Sequence, residues 1–255
     1  WIEIEDQSPP KSKTSYEFLV QDSVSVSTTA ERSPSDQLFI YTGGTTGLPK
    51  AVMWDHHNLR EALLLAARAI GPVPENIEEL KEKVLLEGPG ERMIPACPLM
   101  HGTGLLTAIN AICNGGTVIT LESPSLDAPE ILQAIEEHKV NSITIVGDAF
   151  AQPILTELDK NPERYDLSSL KSVISSGVMW SQESKKRLLK YIPQAALADS
   201  FGSSEALGFG TSITTAEHSS STAKFITNDY CKVFDEDDNE RSEEHTSELQ
   251  SPLDI

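Results

Sequence analysis

Apolar positions along the chain fall into short runs of strand length, separated by longer stretches in which they recur every three to four residues. Gln37-Leu-Phe-Ile-Tyr41 reads as a buried strand, and Asn58 to Ile70 carries helical periodicity. Thr117–Leu121 reads as a strand, Asp127 with Pro129 caps a helix to about His138, and Ser142–Val146 is the next strand. Ala149–Lys160 is helical, Lys171–Ser175 is a strand, and Ser181 caps a helix through Tyr191. Ala195–Ala198 leads as a short strand into Asp199–Glu205. This alternation predicts an α/β fold, with a largely parallel sheet covered by helices.

Two stretches stand outside the rhythm. Gly71–Arg92, rich in Pro, Gly and Glu, reads as a mobile acidic insertion carrying a short helix, with Ile77–Leu86 as a solvated amphipathic face. Trp1–Pro34 is polar, rich in Ser, Thr and Pro, and is expected to be poorly ordered. No run of 18 or more apolar residues occurs and no signal peptide opens the chain.

Composition narrows the partners. At 255 residues and 38% hydrophobic the chain can bury a sizeable core. With 20 basic against 39 acidic groups, net −19, nucleic acid and anionic membrane surfaces are disfavoured. Such a surface also repels nucleotides, so a site for one must be locally positive. Cys97, Cys113 and Cys231 are odd in number with no C-x-x-C spacing, which indicates neither a disulfide framework nor a zinc site and fits reduced, buried thiols in a cytoplasm. His56–His57 is not a metal pair, since adjacent residues on a helix face apart.

The chemistry concentrates in Tyr41-Thr-Gly-Gly-Thr-Thr-Gly-Leu-Pro-Lys50. Gly43, Gly44 and Gly47 let the backbone approach a polyanion, Thr42, Thr45 and Thr46 add hydroxyl donors, and Lys50 adds a fixed charge. A strand running into such a loop is the usual setting for a phosphate cradle. It is not a Walker A loop, because Leu48 and Pro49 separate the last Gly from Lys50 and Ala51 follows. Nor is there a Gly-x-Gly-x-x-Gly dinucleotide turn.

This decapeptide, continuing through Ala51-Val-Met-Trp-Asp-His-His-Asn-Leu59, resembles the phosphate-loop signature of the adenylate-forming (AMP-binding) enzymes: acyl-CoA synthetases, luciferases and peptide-synthetase adenylation domains. Cys97-Pro-Leu-Met-His-Gly-Thr-Gly104 is similar to that family's segment placing a His or aromatic beside the acyl carboxylate. Ser175-Ser-Gly-Val178 is similar to its adenine-side turn, and Asp199-Ser-Phe-Gly-Ser-Ser-Glu205 to its adenine- and metal-holding segment. Val146-Gly-Asp-Ala149 and Tyr165-Asp-Leu-Ser-Ser-Leu170 look most like long-chain and steroid-side-chain acyl-CoA synthetases.

The resemblance implies a two-step reaction on small molecules: a fatty or related carboxylate attacks the α-phosphate of ATP, pyrophosphate leaves, and the thiol of CoA displaces AMP. It implies Mg²⁺ as cofactor and CoA as co-substrate. Lys50, His101 and Glu205 take the catalytic roles. Thr42, Gly43, Gly44, Thr45, Thr46, Gly47 and Lys50 meet the phosphates; Ser176, Gly177 and Val178, with Asp199, Ser200, Phe201, Gly202, Ser203 and Ser204, meet the rest of the nucleotide. Thr42 and Glu205 are the metal ligands, and His101, Gly102 and Asp148 face the acyl or CoA channel. Two residues keep alternatives: His101 as a buried histidine satisfying a backbone carbonyl, and Asp148 as a helix N-cap.

By the same resemblance residues 35–240 are a partial AMP-binding domain, and Lys224–Glu240 is the start of a small β-barrel part. Both ends then read as cut, since the family places a ribose-binding Asp and a mobile domain with a catalytic Lys further on. Arg241–Ser251 resembles a translated sequencing adapter, so 241–255 reads as a non-native read-through tail. Adenylation for another acceptor, and nucleotide binding without turnover, remain the alternatives; acyl chain and oligomeric state stay open.

Overall fold

The computed structural model describes residues 31–43, 48–70, 72–218, 225–227, 231, 232, 234, 235 and 237–240. Those from 35 onward belong to one unit, Ser35–Ile255; the poor order expected of Trp1–Pro34 lies almost wholly, and the read-through tail expected at 241–255 wholly, outside the described residues.

The unit is an α/β assembly of two sheets. A hairpin pairs β1 (Gln37–Thr42) with β2 (Lys50–Asp55) antiparallel. It leads into α1 (His56–Ile70), α2 (Ile77–Glu87) and β3 (Arg92–Pro95), then α3 (Gly102–Cys113) and β4 (Thr117–Val118). Next come α4 (Ala128–His138), β5 (Ser142–Ile145), α5 (Gly147–Lys160), β6 (Ser172–Ser176), α6 (Gln182–Tyr191), β7 (Ala196–Phe201), β8 (Gly210–Thr214) and β9 (Ile226–Thr227). The main sheet runs β4-β3-β5-β6-β7-β8-β9, parallel through β7 and antiparallel beyond it. No closed barrel forms among the described residues: β9 extends the main sheet, and the later segment contributes an isolated bridge between Phe234 and Glu240.

The elements follow from local chemistry. Asp127 accepts from the Glu130 N–H at 3.0 Å, and the Ser181 hydroxyl accepts from the Ser184 N–H at 3.2 Å; both are the anticipated N-caps. All four residues of β5 are buried, as a central strand covered on both faces requires. Ile131, Ile135, Ile145, Leu155, Val173 and Leu197 anchor one core between the sheet and α4, α5 and α6. A second cluster joins Ile40, Leu59 and Leu106, drawing the hairpin, α1 and α3 together.

Several boundaries differ from the expectation. Thr117–Leu121 shortens to two strand residues, because β4 is an edge strand paired only with β3. Helix α5 starts at Gly147, so Asp148 lies in its first turn and not at its N-cap, which is Val146. The strand after α6 continues through Phe201, which places Asp199 and Ser200 on β7 itself. The anticipated short helix within 71–92 is α2, N-capped by Asn76, and none of its residues is buried. No helix among the described residues is long and apolar enough to cross a membrane.

Connectivity fixes where a ligand can bind. From β3 the chain runs through α3 to β4 on one side, whereas β5 runs through α5 to β6 on the other. Right-handed crossovers then send α3 to the face opposite α5, and a crevice opens beyond the carboxyl ends of β3 and β5.

Candidate functional site at the strand ends

The glycine-rich segment connects β1 to β2 in sequence, and its two ends, Thr42 and Lys50, are paired. Thr42 is registered opposite Lys50, and the Thr42 hydroxyl donates to the Lys50 carbonyl at 3.4 Å. The chain therefore turns back into a second strand before its helix begins at His56. Gly43 and Lys50 are exposed; Gly44, Thr45, Thr46 and Gly47 lie outside the described residues. Along the hairpin Leu38, Ile40, Val52 and Trp54 pack inward on Leu59 and Leu106, and Phe39, Tyr41 and Met53 are exposed.

Three segments leave the carboxyl ends of parallel strands side by side. After β3 the chain passes Cys97 to His101 and enters α3; the His101 N–H bonds the Pro98 carbonyl at 3.1 Å. After β5, Gly147 turns with φ of 54°, and a Cβ there would sit 2.5 Å from Val178 Cγ2 and 2.9 Å from the Met179 carbonyl. Only glycine fits so tight a crossing at that φ. The Gly147 N–H donates to the buried Ser175 hydroxyl at 2.9 Å. After β6, Gly177 adopts φ of 92°, and a Cβ there would lie 3.8 Å from Thr103 Oγ1. The β3, β5 and β6 exits are thus in mutual contact.

Strand β7 brings the fourth segment to the same edge. Ser175 is registered with Asp199 and Ser176 with Ser200, so the Ser176–Val178 turn emerges beside Phe201. Phe201 is about half exposed, its ring 5.7 Å from that of Phe209 and 5.9 Å from that of Phe225. A Cβ on Gly102 would lie 3.7 Å from Ser204 Oγ, which sets the His101–Gly102 turn against this segment. The hairpin closes the group from outside: the Trp54 indole N–H donates to the Ser204 carbonyl at 2.8 Å, across 150 residues of sequence.

His101 is exposed at the N-cap of α3 and makes no side-chain cap bond, unlike a histidine buried against a carbonyl. Glu205 is exposed and forms no ion pair among the described residues. Asp148 accepts from the Ser181 hydroxyl at 3.1 Å, which ties α5 to α6. The Asp199 side chain turns inward to Lys185, leaving its backbone as what it offers a ligand. Burial raises the Asp199 carboxyl above its ordinary range, against the pull of Lys185. Cys97 is buried beside Gly104, and burial pushes its thiol up to about 11. His56 and His57 are exposed at the start of α1.

Sequence reasoning passed over Trp54, Thr103 and Lys185. For Trp54 the signal was present: in a strand beginning at Lys50, Val52 and Trp54 fall on one face. No local pattern marks Lys185 as buried in a helix rich in Lys and Arg.

The AMP-binding enzyme family matches the chain over residues 2–249. Among curated relatives, the medium/long-chain-fatty-acid–CoA/3-oxocholest-4-en-26-oate–CoA ligase of Mycobacterium marinum is 36% identical over 212 residues, 82% of this chain and 38% of that protein. The 3-oxocholest-4-en-26-oate–CoA ligase of Rhodococcus rhodochrous is 38% identical over 184 residues, 71% of this chain and 33% of the relative. The chain thus spans between 33% and 38% of the length of these curated relatives. Among solved structures, the luciferase-like enzyme of Zophobas morio superposes with a TM-score of 0.58 at 22% identity, covering 78% of this chain and 43% of that one. That likeness is one of fold.

Proposed function

The chain belongs to the AMP-binding enzyme family, and from that premise we propose that it carries nucleotide- and acid-handling parts of an ATP-dependent acid–thiol ligase for a fatty or steroid-side-chain acid. The observation that supports this reading is the Trp54–Ser204 hydrogen bond, which joins β2, the strand that begins at Lys50, to the Phe201–Glu205 segment. On this reading a nucleotide lying across the strand ends takes Lys50 at its phosphates, and the Phe201 face and the Glu205 carboxylate at its other end.

Each residue's part follows from the reaction. A carboxylate oxygen attacks the α-phosphorus, the bond to pyrophosphate breaks, and negative charge builds on the leaving group. Positioning and charge neutralisation dominate such a step. Lys50 and the loop from Thr42 to Gly47 neutralise and hold the departing pyrophosphate. Phe201 supplies the face for adenine, and Gly202 lets the backbone approach the ring. His101, exposed at the head of α3, orients the attacking carboxylate as a hydrogen-bond partner. The thiol sulfur of CoA then attacks the acyl carbon and AMP leaves.

The residues fit Mg²⁺. The described residues hold no group of three or more His, Cys, Asp or Glu suited to a metal. Glu205 and Thr42 offer hard oxygens, and Mg²⁺ is commonly held by one or two protein ligands together with phosphate and water. When bound, the ion neutralises phosphate charge; Glu205 and Thr42 would hold it.

Titration of Mg·ATP into the chain tests the assignment. Glu205→Ala should abolish the Mg²⁺-dependent part of binding. Lys50→Ala should weaken it less, about tenfold, as one charge-assisted contact among several is lost. Unchanged affinity in Glu205→Ala removes the metal assignment. The acceptor is read separately, by supplying the protein with fatty acid, ATP and either CoA or a carrier-protein thiol.

A further inference from the structure

Lys185 is fully buried on α6, and its ammonium bonds the Asp199 carboxylate on β7. The buried Trp180 ring lies 5.5 Å from the Lys185 Nζ. Among the described residues this is the ion pair with both members buried. A buried ion pair is weak evidence for stability. Withdrawing two charges from water costs several kcal/mol per ion, and a well-packed apolar pair of the same volume is often as stable or more so. What an apolar pair lacks is direction.

The surroundings show what the direction serves. The backbone of Asp199 is registered with Ser175 of β6 on one side and Ser212 of β8 on the other. Its side chain is drawn to α6, two residues before Phe201. Helix α6 is itself fixed: Ser181 donates to Asp148, and Gln152 Nε2 donates to the Ser184 hydroxyl at 2.8 Å. Beyond Phe201 the chain leaves the sheet, and the Trp54 bond to the Ser204 carbonyl holds the segment from the hairpin side. The Phe201–Ser204 stretch thus hangs between an anchor at Asp199 and one at Trp54.

We infer that the Lys185–Asp199 pair is a positioning device: it sets where β7 ends, and with it the placement of the Phe201–Glu205 segment for nucleotide. Lys185 and the Asp199 carboxylate act through the segment and not by touching the nucleotide. The consequence for nucleotide rests on the function proposed above; the consequence for the segment does not.

The chain is labelled with 5-fluorotryptophan, and its ¹⁹F resonances are assigned by Trp54→Phe and Trp180→Phe. Trp180 reports the pair and Trp54 reports the Ser204 carbonyl. The double variant Lys185→Met/Asp199→Leu replaces the pair by apolar side chains, and Lys185→Met alone leaves Asp199 buried without its cation. The double variant should melt near the parent, yet shift or broaden the Trp54 resonance and bind Mg·ATP about tenfold more weakly. Lys185→Met should show the same displacement with a lower melting temperature. A folded double variant with the parent's Trp54 resonance and affinity overturns the inference. Failure of both variants to fold overturns it too, making the pair a requirement of folding. Absence of Mg·ATP binding by the parent counts against the proposed function alone, because the Trp54 resonance still reads the position of the segment.

Discussion

At the scale of single residues, exposure divides the candidates more sharply than residue type does. Lys50, His101 and Glu205 present their side chains to solvent, whereas Asp199, in the same segment as Glu205, is turned into the protein by Lys185. The thiols, all expected to be buried, divide in the same way: Cys97 is buried with its thiol raised to about 11, whereas Cys113 is exposed and Cys231 half-buried, although partial burial raises the Cys113 thiol as well. The thiolate is the reactive form, so near pH 8 only about one Cys97 in a thousand is ionised. Iodoacetamide at pH 8 should therefore modify Cys97 last in the native chain. Peptide mass spectrometry checks this, and the lag should disappear on denaturation; labelling of Cys97 as fast as Cys113 in the folded protein would contradict its placement. The motif residues themselves were legible as a string. The direction of their side chains was not, because only the fold brings Lys185 to Asp199 and leaves Glu205 exposed.

At the scale of elements, caps and apolar periodicity identified α4, β5, β6 and α6 nearly residue for residue, since each has its stop and start signals close by in sequence. Asp127 illustrates how local that information is: one side-chain bond to the Glu130 N–H opens α4. Asp127→Ala should destabilise the chain by about 1 kcal/mol, and Asp127→Asn, which keeps the acceptor, by much less. For a unit of this size that is a fall of roughly 2–4 °C in melting temperature, read by circular dichroism. Equal losses in the two variants would show that the cap bond is not what matters. Elements that packing dictates were missed. Gly102-Thr-Gly-Leu-Leu-Thr-Ala-Ile-Asn-Ala-Ile-Cys113 is poor in strong helix formers, yet it is helical because Leu106, Ala108 and Ala111 are buried. Arg92–Pro95 is too short to show a period, and it becomes a strand because β4 and β5 pair with it on either side.

At the scale of the whole molecule, charge and connectivity dominate. A net charge of −19 repels itself, and dissolved salt screens that repulsion over about 10 Å at 0.1 M. Raising NaCl from about 10 mM to about 200 mM should raise the melting temperature. A fall would mean that attractive ion pairs such as Arg187–Asp159 and Lys139–Asp166 outweigh the net repulsion. Connectivity gathers the strand ends: the chain reverses its direction of travel between β3 and β5, and the Cys97–Gly104, Val146–Ala149, Ser175–Val178 and Asp199–Glu205 segments lie at that carboxyl edge, whereas Tyr165–Leu170 lies at the amino end of β6.

From the sequence alone came the alternation of strands and helices, their caps, and the identity and order of the motif segments, because each of these is written within a few residues of itself. The tertiary structure alone decided that the strands flanking the glycine-rich segment pair antiparallel, that Trp54 reaches Ser204, and that Lys185 is buried against Asp199. Local periodicity specifies which face of an element is apolar, but not which distant element will cover it. That choice is made by the packing of the assembled chain, where a buried donor or charge must find its partner wherever the fold has brought one.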